Sequence, residues 1–172
     1  MSAAAVHLQR SLGARTGFVF ICPGRFEQAR GYPCAAGTGA NLARALVELA
    51  RRAPELFPAP DRHSYVITNA WAQVEYMALN QRSVPSEAEV LMPDNLARLA
   101  GEISALTTVV ACGAHAHAAV RVLVAQGAVG ARVAYARHLS QRSVNMIAGG
   151  STTDDRIARW VDQVLAQLPE RA

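Results

Sequence analysis

The fold is decided by residues 18–41, which read Phe18-Val19-Phe20-Ile21-Cys22-Pro23-Gly24-Arg25-Phe26-Glu27 and continue through Gly31-Tyr32-Pro33-Cys34 to Gly37-Thr38-Gly39-Ala40-Asn41. An apolar run of strand type ends in a Pro-Gly turn, and a glycine-rich loop leads into a helical pattern that begins near Leu42. Loops that follow strands in open α/β sheets are common ligand sites. The segment predicts either a loop whose N–H groups close around a base or phosphate, or an ordinary strand-to-helix connection.

Three further segments have the character of strands, so the predicted strands are 17–21, 64–68, 107–112 and 132–136. The first three are continuously apolar, which is typical of strands buried on both faces. Helical patterns separate the strands, and a last helix begins at a cap formed by Thr152 or Thr153. This alternation predicts an α/β fold with three α/β/α layers around a central, mostly parallel four-stranded sheet.

Composition predicts one folded domain in the 172 residues. A content of 51% hydrophobic and 17% charged residues excludes a disordered chain, and no apolar run reaches the length of about 18 residues that suggests a membrane span. Residues 1–16 lack the apolar core of a secretory signal, so we interpret them as an N-terminal extension of a domain spanning 17–172. We expect a monomeric, cytoplasmic protein.

The reactive residue types exclude some chemistries. The three cysteines, Cys22, Cys34 and Cys112, form no Cys-x-x-Cys pair, and His115 and His117 are spaced poorly for one metal ion on a helix. We therefore predict no metal site and no cofactor. All 17 basic residues are arginines, which suits phosphate binding, although codon bias explains the absence of lysine equally well. Without lysine, Schiff-base chemistry by a lysine amine is excluded.

Polar side chains follow two predicted strands where each strand ends. Asn69 offers an amide that matches the N3–H and O4 edge of uracil, or it caps a turn. His138 follows the fourth strand, where it either stabilises a developing oxyanion or lies exposed. Ser140, Arg142 and Asn145 have donors suited to DNA phosphates, although Arg142 fits a surface ion pair nearly as well.

The loop after the first strand adds further candidates. Glu27 is its only carboxylate, which either orients a water molecule or is simply exposed. Tyr32, Trp71 and Tyr76 have aromatic rings that either stack on a base or pack within the protein.

Together these motifs resemble the uracil-DNA glycosylase superfamily. The order of its first motif, a strand, a turn, a Gly-x-Pro segment and a small-residue loop, is followed here by the segments 22–24, 31–34 and 37–39. Ile67-Thr68-Asn69 resembles the strand with the uracil-reading asparagine, and Val109-Val110-Ala111-Cys112-Gly113 resembles the next core strand and turn. His138-Leu139-Ser140 resembles the His-Pro-Ser motif. The similarity extends from about residue 17 to the final helix.

The resemblance implies hydrolysis of the N-glycosidic bond of deoxyuridine, or a related deaminated base, after the nucleotide is flipped out of DNA. His138 would stabilise the leaving base at O2, and Glu27 is the remaining catalytic candidate. The implied base-binding residues are Cys22, Pro23, Gly24, Gly31, Tyr32, Cys34 and Asn69. The implied DNA-binding residues are Gly37, Thr38, Ser140, Arg142 and Asn145.

The chain departs from the superfamily pattern at three positions. At the water-positioning place, Cys22 stands where an Asp or Asn is usual, or Ile21 stands where a Glu is usual; Cys34 stands at the place of the stacking phenylalanine, and Leu139 replaces the proline of the last motif. An alternative is therefore a weak or inactive relative that binds DNA or a nucleobase. A doubly wound nucleotide-binding enzyme is a third, although the chain has neither the Gly-x-Gly-x-x-Gly fingerprint nor a Gly-Lys-Ser/Thr phosphate loop.

Overall fold

Four parallel strands form the central sheet of the computed structural model, which describes residues 6–169. The strands are β1 (Thr16–Phe20), β2 (Val66–Asn69), β3 (Thr108–Cys112) and β4 (Arg132–Ala136), in the spatial order β2-β1-β3-β4. Every residue of β1, β2 and β3 is buried, which explains why these strands are mostly apolar and do not alternate with polar residues; Thr16, Thr68, Asn69 and Thr108 are polar residues buried within them. The predicted strands are confirmed to within about two residues at their ends.

Helices cover both faces of this sheet, as the alternating pattern predicts. The helices are α1 (Arg25–Arg30), α2 (Gly37–Arg52), α3 (Met77–Asn80), α4 (Glu87–Val90), α5 (Pro93–Ile103), α6 (Ala114–Ala125), α7 (Gln141–Asn145) and α8 (Thr153–Ala166), with a 3-10 turn at Arg62–Ser64. One core packs α2, α7 and α8 against Phe18 and Phe20, and the other packs α4, α5 and α6 against Val19 and Val109. The three-layer α/β/α fold is thereby established.

Helix α8 begins as its sequence predicts. Thr152 is the cap, since its hydroxyl accepts a hydrogen bond from the Asp155 N–H at 3.1 Å and the Asp155 carboxylate accepts one from the Thr152 N–H at 3.0 Å. Hydrogen bonds from Thr152 and Ser151 lower the pKa of Asp155 to about 2. Trp160 on this helix is fully buried, and its indole N–H donates to the Arg137 carbonyl at 2.8 Å.

Both edges of the sheet are covered by other parts of the chain. Gln9 pairs antiparallel with Ile67 of β2 through backbone hydrogen bonds of 2.8 and 3.0 Å. At the opposite edge, the Gln167 side chain accepts from the Tyr135 N–H and donates to its carbonyl. The predicted N-terminal extension is described from residue 6 onward, and residues 1–5 lie outside the described part of the chain. Within residues 6–169, no helix has both the length and the apolar character needed to cross a membrane.

Candidate functional site

The loops after the four strands meet at the carboxyl edge of the sheet because all the strands are parallel. The chain after β2 runs beside the chain after β1: the Trp71 N–H donates to the Ile21 carbonyl and the Glu75 N–H to the Pro23 carbonyl, both at 2.9 Å. The Gly113 N–H at the end of β3 donates to the Ala136 carbonyl at the end of β4, also at 2.9 Å. These bonds join residues far apart in sequence into one surface.

His138 folds back from the end of β4 over the centre of this edge. Its ring packs edge-to-face on Phe20, with the ring centroids 5.6 Å apart. Gly113 makes this approach possible, since a Cβ there would lie 3.3 Å from the His138 Cβ and 3.1 Å from Ile21 Cδ1. Gly113 also has a φ of +97°, a conformation that side chains disfavour. Glycine at this position therefore allows the histidine to reach β1.

The imidazole of His138 is neutral and has a defined tautomer. Burial lowers its pKa to about 4, although the nearby charge of Glu27 acts in the opposite direction. Its Nδ1 accepts a hydrogen bond from the Ser140 N–H at 3.0 Å, so the single ring proton resides on Nε2. Among the described residues, none accepts a hydrogen bond from Nε2. The ring therefore presents a neutral N–H donor.

Asn41, which the sequence analysis did not single out, holds the loop that carries His138. Its side chain is buried in α2 and donates to the Leu139 carbonyl at 2.9 Å and to Gln141 Oε1 at 3.3 Å. The signal in the sequence was a lone amide on the apolar face of α2. The loop that carries His138 is therefore held in place by Asn41 through the backbone carbonyl of Leu139.

The predicted DNA-binding residues after β4 differ in their surroundings. The Ser140 hydroxyl caps α7 by accepting from the Ser143 N–H at 3.3 Å. Arg142 and Asn145 lie exposed on α7, and Asn145 Oδ1 accepts from the Gln141 amide at 2.8 Å. Arg142 and Asn145 therefore present surface groups, whereas the Ser140 hydroxyl is engaged within the protein.

Glu27 braces the loop after β1. Its two carboxylate oxygens accept hydrogen bonds from the N–H groups of Gly24 and Ala35, both at 3.0 Å. Gly24 is the N-cap of α1, and Gly31 ends this helix in the left-handed conformation with a φ of 80°. The carboxylate thus joins the two ends of the Gly24–Ala35 loop, and roughly two of its four lone-pair positions remain for other donors.

Cys22 is a neutral thiol beside Glu27. Burial is the main cause that raises its pKa to about 12, followed by the charges of Glu75 and Glu27. Its Sγ donates to the Ser83 carbonyl at 3.7 Å. The side chain after β1 that was considered for water positioning therefore has no charge and only a weak hydrogen-bond donor.

Asn69 is the last residue of β2 and is 2% exposed. It lies in register with Phe20 on β1, so alternation puts both side chains on the α2 and α8 face of the sheet. The His138 ring packs on this same Phe20 side chain. Asn69 and His138 thus share one sheet face, but the Asn69 amide Nδ2 donates to the backbone carbonyl of His7 at 3.2 Å.

The segment from Gly31 to Thr38 is held by Arg62, another residue that the sequence did not single out. Arg62 donates to the carbonyls of Cys34 at 2.9 Å and Pro33 at 2.5 Å, and its guanidinium lies 5.2 Å from the centroid of the partly exposed Tyr32 ring. Cys34 is buried, and burial raises the pKa of its thiol.

Close packing continues from this segment into α2, which begins at Gly37 and Thr38. Cys34 has a φ of +52° in the left-handed region. A Cβ at Gly39 would lie 2.0 Å from the Cys34 carbonyl oxygen, so the loop touches the helix at this glycine.

Glu75 organises the loop after β2, and no sequence pattern marked it. The buried carboxylate accepts from Trp71 Nε1 at 2.9 Å, from the Asn80 amide and from Arg82 Nη2 and Nε at 2.5 and 2.8 Å. The Arg82 hydrogen bonds are the main cause that lowers the pKa of Glu75. Trp71 and Tyr76, two candidates for base stacking, use their polar atoms on Glu75 and on Gln28, respectively.

The chain matches no protein-family model and no curated protein. Its function is therefore argued from the site itself: a neutral histidine donor, an asparagine on the same sheet face and a glycine-rich loop held by Glu27 and Arg62.

Proposed function

We propose that the protein hydrolyses the N-glycosidic bond of uracil, or of a related deaminated base, in DNA, as a divergent relative of the uracil-DNA glycosylase superfamily without an iron-sulfur cluster. The flipped base would bind between His138 and the glycine-rich loop, and Asn69 would read its polar edge. The Nε2–H of His138 would donate to O2 of the base as negative charge develops there.

The observation that carries this proposal is the state of His138. The Ser140 N–H on Nδ1 places the single proton of the neutral ring on Nε2, where it can be donated in a hydrogen bond to a developing anion. A pKa near 4 keeps the ring in this state throughout the neutral pH range. A fixed donor of this kind requires little reorganisation when charge develops on the leaving base.

A second candidate function, DNA or nucleobase binding without hydrolysis, is favoured by the groups around Cys22. The neutral thiol is a poor partner for an attacking water, and both oxygens of Glu27 already accept backbone hydrogen bonds. In the hydrolytic proposal, Glu27 holds the water through its remaining lone pairs while it braces the loop. The two candidates therefore differ in whether Glu27 contacts water at the site.

Several properties of the chain suit a DNA substrate. The formal net charge is +4, and each basic side chain is an arginine, whose planar fork binds phosphate in two-pronged fashion. Because the sequence has no lysine, the product would be an abasic site rather than a strand break made by a lysine amine. We propose further that the protein acts as a cytoplasmic monomer.

The test is base release from single- and double-stranded oligonucleotides that contain uracil, hypoxanthine or a mismatch, followed by alkali to cleave abasic sites. Hydrolysis predicts breaks that are lost in His138→Ala and retained in His63→Ala, which alters an exposed histidine. Binding to the same oligonucleotides without breaks would support the second candidate. A folded protein that neither releases a base nor binds DNA would refute both.

A further inference from the structure

The first described residues of the chain contact the candidate site from outside the sheet. We name residues 7–9 the N-terminal brace. Gln9 forms the two backbone hydrogen bonds to Ile67 that attach the brace to the free edge of β2. The His7 ring is 2.9 Å from Glu102 Oε1, and Glu102 is held in turn by Thr68 at 2.6 Å and Arg98 at 2.7 Å. The brace is therefore anchored at both of its ends.

One arm of the brace reaches the glycine-rich loop through Arg62. The Gln9 side chain accepts from Arg62 Nε at 2.9 Å and donates to the Arg62 carbonyl at 2.8 Å and the Tyr65 carbonyl at 3.3 Å. The other two guanidinium nitrogens of Arg62 hold the Pro33 and Cys34 carbonyls. The planar guanidinium of Arg62 thus bonds to the brace through Nε and to the loop through its other two nitrogens. Gln9 therefore fixes the orientation in which Arg62 contacts the loop.

The other arm reaches Asn69. The His7 carbonyl accepts one Nδ2–H of the Asn69 amide at 3.2 Å. If the amide rotated by 180°, its oxygen would face that carbonyl oxygen, which is unfavourable because neither atom can donate. The His7 carbonyl therefore determines whether the nitrogen or the oxygen of the Asn69 amide faces away from the brace. This orientation decides whether the amide offers a base edge a hydrogen-bond donor or an acceptor.

We propose that the N-terminal brace is a positioning element of the site: Gln9 holds the Tyr32–Cys34 loop through Arg62, and the His7 carbonyl sets the orientation of the Asn69 amide. The effect on base recognition rests on the proposed function, whereas the mechanical link from Gln9 to the loop does not. Neither His7 nor Gln9 touches the base in this proposal.

The link is tested by the reactivity of buried Cys34 in the full chain. Labelling by a maleimide is followed separately at each cysteine by peptide mass spectrometry, with buried Cys112 in β3 as the internal reference. Gln9→Ala and Arg62→Ala are expected to speed labelling of Cys34 about tenfold without changing Cys112, because loss of the loop's hydrogen bonds favours local opening. Arg62→Lys should restore part of the protection, and Leu12→Ala, which alters an exposed side chain in the same segment, should match the wild type.

Unchanged labelling of Cys34 in both Gln9→Ala and Arg62→Ala would overturn the proposal. So would a parallel rise at Cys34 and Cys112, since both lie in one core and that pattern means opening of the core rather than of the loop alone.

Kinetics on uracil-containing DNA then test the effect on recognition. Gln9→Ala should raise KM about tenfold with a smaller change in kcat, because it loosens a binding loop and leaves His138 in place. A fall in kcat alone would contradict this part. If the wild type releases no base, the proposed function fails, while the cysteine labelling still decides whether the brace controls the loop.

Discussion

Lowering the pH from 7 to 4 should destabilise the protein through His138. The sign follows from proton binding: the unfolded histidine takes up a proton near its ordinary pKa of 6.5, while the folded one stays neutral down to about 4. Between these values the unfolded state binds more protons, so the free energy of unfolding falls as the pH falls through this window. The difference of about 2.5 between the two pKa values corresponds to about 3.4 kcal/mol in full, of which about 3 kcal/mol is lost by pH 4.

Two measurements isolate this effect from the other titrating groups. Urea unfolding at pH 7, 5.5 and 4 is compared between the wild type and His138→Gln, which has no ionisable group at this position. The wild type should lose about 3 kcal/mol more than the variant across this range. In parallel, NMR titration of the imidazole should show an unprotonated Nδ1 and no protonation above about pH 5. Equal pH dependence in the two proteins, or a midpoint near 6.5, would refute the buried neutral histidine.

Three substitutions and one control test the contacts around the site, each by urea unfolding at pH 7. Glu27→Gln should cost about 1–3 kcal/mol, because an amide can accept only one of the two backbone N–H bonds; no change would contradict the bracing role. Asn41→Ala should cost a similar 1–3 kcal/mol by removing its hydrogen bonds to the loop after β4. Gly39→Ala should cost about 3 kcal/mol or more because its Cβ would meet the Cys34 carbonyl, whereas Gly37→Ala has open space and should be neutral or stabilising; equal effects would refute the close packing.

The sheet and the main helices could be predicted from the sequence because buried positions in strands and helices produce regular patterns of apolar residues. The strands β1, β2 and β3 are buried on both faces and are mostly apolar without alternation, and α8 combines an apolar stripe with the Thr152 cap. Parallel strands then determine that the loops after them share one edge. This reasoning predicted that His138 and Asn69 lie at the same edge of the sheet, because each stands at or after the end of a parallel strand.

The partners of polar side chains could not be predicted in this way. Arg62 lies 28 residues from Cys34 and 53 residues from Gln9 along the chain, and no periodicity links a loop arginine to a particular carbonyl. Glu75 has the same difficulty, since its hydrogen bonds to Arg82 join two irregular parts of the segment after β2. Such contacts depend on loop conformations that are fixed only when the whole edge of the sheet is assembled.

Glu27 shows why this difference matters for function. Glu27 is the only carboxylate in the loop after β1, so it was the natural candidate to activate water. That prediction rested on the residue type alone, because the hydrogen-bond partners of the carboxylate cannot be read from the sequence. In the fold it joins Gly24 to Ala35, so its removal would disturb the loop whether or not it also holds a water molecule. Loss of base release in Glu27→Gln would therefore not identify a catalytic base. Only Glu27→Gln with an undisturbed loop, shown by unchanged labelling of Cys34, would separate the two roles.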